Sequence, residues 1–240
     1  MKQNCTGRRA RRRCSHLEML KEHIGEVLSS LAHERPFFYS EADFQHAFAW
    51  EIHKRLPFAR VGLEIPVPVG DHGQDYLHID VWVAYENAIL AVELKYKTRG
   101  LTVNIGKGEY REKYSLKNQG GEVIGRYDFL KDIQRLEQVV AKYQNSVGYA
   151  VLLTNDSAYW QEPREEDTVD ADFRLHHGRV VKGDLNWSEN AAAGTKKGRE
   201  QPVKLKGTYQ LCWSEYSSVG GPENHGNFRS LVVEVSRNNR

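Results

Sequence analysis

The sequence predicts an α/β domain in which a central mixed β-sheet is flanked by helices, with an N-terminal helix and a C-terminal β-hairpin as extensions. Three observations carry this. Residues 77–83 and 89–97 are period-two runs separated by a tight turn, the pattern of paired strands. Apolar residues at three- and four-residue spacing mark helices at 16–32, 40–55 and 127–143. Residues 148–154 are apolar without alternation, as expected of a strand covered on both faces by a crossover helix. At 240 residues the chain can bury a full core within one elaborated domain.

Taken in order, residues 1–15 hold the basic run Arg8 to Arg13 and are expected to form a disordered arm, with residues 16–240 as the single domain. The first helix places Leu17, Leu20, Ile24, Val27 and Leu31 on one stripe. The second opens on Ser40 with Asp43 three residues on, an approximate capping box. At 100° per residue, Glu41, Phe44, Gln45, Phe48 and Ile52 share one side of it, which puts a carboxylate on an inward-facing stripe. Helix-dipole complementarity alone would also place an acid there. A strand follows over 60–69, with Glu64 on its less apolar face.

The next two strands carry the chemistry. In the first, Leu77, Ile79, Val81 and Val83 take one face by alternation, and His78, Asp80 and Trp82 the other. In the second, Val92, Leu94 and Tyr96 oppose Glu93, Lys95 and Lys97. A turn centred on Glu86 and Asn87 would set Asp80 opposite Glu93 and His78 opposite Lys95. Two carboxylates facing each other across a hairpin destabilise a sheet unless something compensates, and a divalent cation does so. Lys95 would then stand beside the cation, where an ammonium can orient or deprotonate a water or neutralise charge on a phosphate.

Residues 98–125 read as a flexible loop with Arg99, Lys107, Arg111, Lys113 and Lys117 set among Tyr110, Tyr114 and glycines. That mixture suits contact with nucleic-acid phosphates and bases, and it equally suits a solvated loop. On the long helix, Phe129, Ile133, Leu136, Val140 and Tyr143 form the stripe, while Asp128, Asp132 and Arg135 read as a surface ion-pair ladder. Residues 157–207 are acidic and then glycine- and lysine-rich, and are expected to be loops. Order should return at 208–216 and 228–235 as a hairpin added to the sheet.

This order of elements, with Ile79-Asp80 on one strand and Glu93-Leu94-Lys95 on the next behind a Glu-bearing first helix, resembles the PD-(D/E)XK nuclease superfamily and its restriction-endonuclease-like core. The likeness covers residues 37–156, with Ile79 standing where the name-giving proline would be. It implies a deoxyribonuclease holding Mg²⁺, for which Mn²⁺ can substitute, on Asp80, Glu93, the Leu94 carbonyl and an acid of the first helix, with Glu41 as the candidate and Glu51 and Glu64 as alternatives. Lys95 would assist attack by water and Lys97 would bind a neighbouring phosphate. A non-cleaving nucleic-acid-binding or assembly module, or a hydrolase of small phosphoesters, stays open beside this.

A net charge of +2 does not announce a nucleic-acid partner, so only the distribution of charge speaks for one. No apolar stretch resembles a signal or membrane span, and Cys5, Cys14 and Cys212 make no disulfide framework, so a cytoplasmic protein without a membrane partner is expected. A homodimer or a larger assembly is compatible with the sequence.

Overall fold

The structure, a computed structural model, describes residues 15–69, 75–105, 111–220 and 225–239. The basic run Arg8 to Arg13, Cys5, Cys14 and Lys107 lie outside these residues. The chain begins with helices α1 (His16–Glu34) and α2 (Glu41–Arg55), then strands β1 (Arg60–Val69), β2 (Asp75–Tyr85), β3 (Ala88–Lys97), β4 (Leu101–Ile105) and β5 (Glu112–Leu116). Helix α3 (Glu122–Lys142) leads to β6 (Ser146–Thr154), and β7 (Val180–Leu185), β8 (Val203–Gln210), β9 (Trp213–Ser218) and β10 (Asn227–Val235) complete it.

Both N-terminal helices start where their serines cap them. Ser15 accepts the Glu18 N–H at 3.2 Å and Ser40 accepts the Asp43 N–H at 3.1 Å, each satisfying a donor that a helix start leaves orphaned. Six strands form one mixed sheet in the order β1-β2-β3-β6-β10-β9, in which β3 and β6 run parallel and every other pair is antiparallel. Helices α1 and α2 cover one face with Leu20, Ile24, Phe44, Phe48 and Ile52. The other face is covered by α3, with Phe129, Ile133, Leu136 and Val140 facing the sheet and the β7–β8 pair packed beside it. Strand β6 is buried along its whole length, which explains its missing alternation. Among the described residues, no helix is long and apolar enough to cross a membrane.

Several segments differ from the sequence reading. Residues 98–125 are not simply a loop: β4 and β5 pair as a hairpin, and α3 begins at Glu122, after Gly121 turns the chain with φ +91°. Part of 178–207 is also ordered, because β7 and β8 pair antiparallel. The C-terminal hairpin is β9–β10, joined to the sheet through β10 and β6, while Thr208 to Gln210 belongs to β8.

Candidate active site

The hairpin turns at Glu86 and Asn87, with Glu86 taking the positive φ (+50°) that tight hairpin turns require. It pairs Tyr85 with Ala88 through to Val81 with Val92, and there the pairing of β2 with β3 ends. Asp80 and Glu93 are therefore not cross-strand partners, nor are His78 and Lys95. The cause lies one strand over, where Glu64 adopts φ +50° in the middle of β1. A strand keeps its alternation only while its backbone stays extended, so a left-handed residue re-aims the side chains beyond it. Val61, Val81 and Val83 face the α1 and α2 core, yet Ile65, Val67, Leu77 and Ile79 face the α3 core. The register of β1 with β2 is unchanged across the swap. The single-face alternation expected for Leu77 through Val83 is corrected accordingly: β1 and β2 curl together towards α3 and open a notch between β2 and β3.

Opening the notch strips β3 of hydrogen-bond acceptors along its edge, and buried N–H groups need them. Two carboxylates take that place. Leu94 N–H donates to Asp80 Oδ2 at 2.6 Å, and Tyr96 N–H donates to Glu41 Oε2 at 2.8 Å from the first turn of α2. Gln45, one turn along α2, donates to the Asp80 carbonyl and to Glu64 Oε1, both at 2.8 Å, and so ties α2 to the kink. Burial raises the Asp80 pKa against the Leu94 N–H and the charge of Lys95, which lower it.

On the α3 side of the notch stand Glu93, Lys95, Asp132 and Arg135. Glu93 is 1% exposed, and neither carboxylate oxygen has a hydrogen-bond partner. Arg135 Nη2 approaches Glu93 Oε1 at 3.3 Å, while the same guanidinium donates to the His78 carbonyl and so spans the gap between β2 and β3. Burial, then the charges of Asp132 and Asp80, push the Glu93 carboxyl up to about 9 against the pull of Arg135 and Lys95. Lys95 Nζ lies 2.9 Å from Asp132 Oδ2 and 3.3 Å from the Leu94 carbonyl. Burial opposes the Lys95 charge, but Asp132, Glu41 and Asp80 outweigh it and hold the ammonium above its ordinary range. Asp132 is pushed up to about 6 by burial, against Lys95 and Arg135.

The chain matches no protein-family model, no curated protein and no solved structure. Whatever this site does is therefore read from its own chemistry. Among the described residues, no group of three or more His, Cys, Asp or Glu side chains is arranged to hold a metal ion. The acids stand apart because each is held on its own partner: Asp80 on Leu94, Glu41 on Tyr96, Glu93 beside Arg135, Asp132 beside Lys95.

Asp132 is the residue that the sequence reading misplaced. The expected pair of Asp132 with Arg135 forms at 3.4 Å, but it is not a surface ladder: Asp132 is 3% exposed, and Asp128 pairs with Arg199 at 2.6 and 2.8 Å. Its signal was present, since Asp132 lies three residues after Phe129 and four before Leu136 on the inward stripe. The other predicted residues are dispersed. Glu51 is buried against α1 and α2, paired with Lys54 and Arg55, and takes no part in the notch. Arg99 is committed to Glu122 and Asp156, both at 3.1 Å. Lys97 follows Lys95 on the same face and forms no ion pair among the described residues, while Arg111, Lys113 and Lys117 are exposed on and beside the β4–β5 hairpin.

Proposed function

We propose that this chain is a metal-dependent phosphodiesterase with a restriction-endonuclease-like core, acting on nucleic acid, with DNA as the expected polymer. The observation that carries the reading is Glu93: a carboxylate sealed in the fold with both oxygens unbonded, beside a second acid and a held ammonium. A buried carboxyl that accepts no hydrogen bond, with Arg135 near it only as an ion-pair neighbour at 3.3 Å, is a costly feature. A hard cation would satisfy it by drawing together acids that the structure holds apart on separate partners. Glu93, Asp80, the Leu94 carbonyl and, across the β3 edge, Glu41 are the residues that would hold Mg²⁺ or Mn²⁺. When bound, the ion would neutralise charge developing on the phosphate and on the leaving oxygen.

The chain's own groups supply the rest. Lys95 is held protonated by the surrounding carboxylates, which suits it to orient an attacking water and to stabilise charge on the phosphate rather than to remove a proton. Asp132 keeps that ammonium in place by ion pairing. Arg135 holds β2 and β3 at their separation through His78 and Glu93. Lys97, next along the face, is placed to meet a neighbouring phosphate.

The test is incubation of linear and circular DNA, single- and double-stranded, and of RNA, with Mg²⁺, Mn²⁺ or EDTA. Cleavage should need the divalent ion and be lost in Glu93→Gln and Lys95→Met. Wild-type rates in both variants would remove the site from the chemistry. Binding without cleavage under every condition would favour a non-cutting module of the same architecture.

A further inference from the structure

Between the start of α3 and the segment after β6 lies a cavity of about 330 Å³ that the proposed chemistry does not use. Three arginines line it: Arg164 is exposed at the rim, and the two inner ones, Arg126 and Arg174, differ. Arg126 is held by its two terminal nitrogens, Nη1 donating to Asp170 Oδ2 at 2.5 Å and Nη2 to the Ala158 carbonyl at 2.8 Å, while its buried Nε has no hydrogen-bond partner among the described residues. Arg174 is only 7% exposed, and among the described residues it has no carboxylate partner. Its Nη2 donates to the Glu165 carbonyl and, at 2.9 Å, to Thr168 Oγ1, which itself donates to Asp170 Oδ1 at 2.7 Å. Those bonds hold the guanidinium through Nη2, while Nε and Nη1 make no hydrogen bond among the described residues. A guanidinium taken out of water without an anion is strongly disfavoured, and its planar fork matches the oxygens of a phosphate.

The location narrows the anion. The cavity lies off the carboxyl ends of the parallel strands β3 and β6, where sheets of this kind bind ligands. It is joined to the β3 end because Arg99 pairs with Asp156, which caps the short turn carrying Ala158. Arg126 precedes Asp132 by six residues of α3, roughly 9 Å of helix at 1.5 Å per residue. At about 3.4 Å of rise per nucleotide, that length of helix matches about two to three nucleotides of a strand. Exposed Arg164 stands at the rim with Glu162 and Glu165, so the rim is mixed in charge, while the interior sets Arg126 and Arg174 against the buried carboxylate of Asp170.

We propose that this cavity seats a terminal phosphate monoester of a nucleic-acid strand on Arg174, beyond the notch that holds Glu93 and Lys95. The proposal rests on the nuclease reading for its polymer. It assigns the protein a preference for phosphorylated strand ends.

The experiment is fluorescence anisotropy in EDTA with one oligonucleotide sequence ending in 5′-phosphate, 3′-phosphate or hydroxyl only. A phosphorylated end should bind about tenfold tighter or more, the increment expected of charge-assisted bonds. Arg174→Gln should erase that increment while leaving the hydroxyl-ended affinity within about twofold. Arg174→Lys, which keeps the charge but not the fork, covers the case in which the glutamine variant does not fold, and should lose most of the increment. Inorganic phosphate should compete with the phosphorylated oligonucleotide. Equal affinity of folded wild type for all three ends overturns the proposal, and so does saturable binding of inorganic phosphate with no gain from a phosphorylated end, which would mark a site for a free anion. Absence of any end preference in wild type that still cleaves with Mg²⁺ sinks the cavity alone. An end preference in a protein that cuts nothing supports the cavity and sinks the nuclease reading.

Discussion

Glu93→Gln at several pH values tests the site without relying on activity. In metal-free protein the folded carboxyl holds its proton up to about 9, whereas the same group in the unfolded chain releases it near the ordinary value of 4.5. Between those limits the folded state binds more protons than the unfolded state. Stability must then fall as pH rises, by up to about 1.4 kcal/mol per unit for one proton. The advantage is complete below the unfolded pKa and is lost through the folded one. Across pH 6.5–8.5 that amounts to a loss on the order of 2 kcal/mol, several degrees in Tm for a chain of this size. Asp132, at about 6, titrates mostly below that window. Glutamine keeps the volume and is neutral throughout, so its melting temperature in EDTA should fall less steeply with pH and exceed wild type at the alkaline end. Adding Mg²⁺ should flatten the wild-type profile, because a cation replaces the proton, and should do little to the variant. Thermal melts followed by circular dichroism read both effects. Parallel wild-type and variant profiles would mean that Glu93 is not a buried acid in need of a cation.

The remaining predictions concern its neighbours. Lys95→Met should lower cleavage by about 10²–10³-fold while the protein stays folded, as loss of a charge stabiliser does. Asp132→Asn should lower it about 10–100-fold by freeing Lys95 from its ion pair, and single-turnover rates with saturating substrate would detect it. Glu41→Gln keeps an acceptor for the Tyr96 N–H and should melt near wild type yet cut more slowly, whereas Glu41→Ala should also lose about 1–3 kcal/mol in denaturant titrations. Wild-type cleavage by the glutamine variant would reduce Glu41 to a cap on the strand edge. Gly125→Ala would drive a methyl into Tyr159 Oη, and should destabilise the protein by about 1–3 kcal/mol in the same titrations.

The legible and the hidden parts of this fold divide along physical lines. The three helices announced themselves by period, and the hairpin turn by its position between two alternating runs. The swap of faces at Asp80 had no signal, because it depends on a left-handed backbone at Glu64, a residue type that seldom adopts one. The cross-strand carboxylate pair inferred from alternation failed there, and the notch with its capped β3 edge replaced it. Strand β8 was legible but outweighed: Val203, Leu205, Gly207 and Tyr209 alternate inward, yet the glycines and lysines around them read as loop. Asp132 was visible on its stripe, and only the commoner meaning of an acid near an arginine hid it.

The two amides that β3 offers across the notch turn its carboxylates into reporters. Leu94 and Tyr96 keep their protons out of exchange by lending them to Asp80 and Glu41, side chains that a cation would recruit. A metal drawing those oxygens inward would release two specific backbone protons while tightening the fold elsewhere. Deuterium uptake at Leu94 and Tyr96 would therefore rise on metal binding against a general slowing, a signature that ions held only at the surface would not produce.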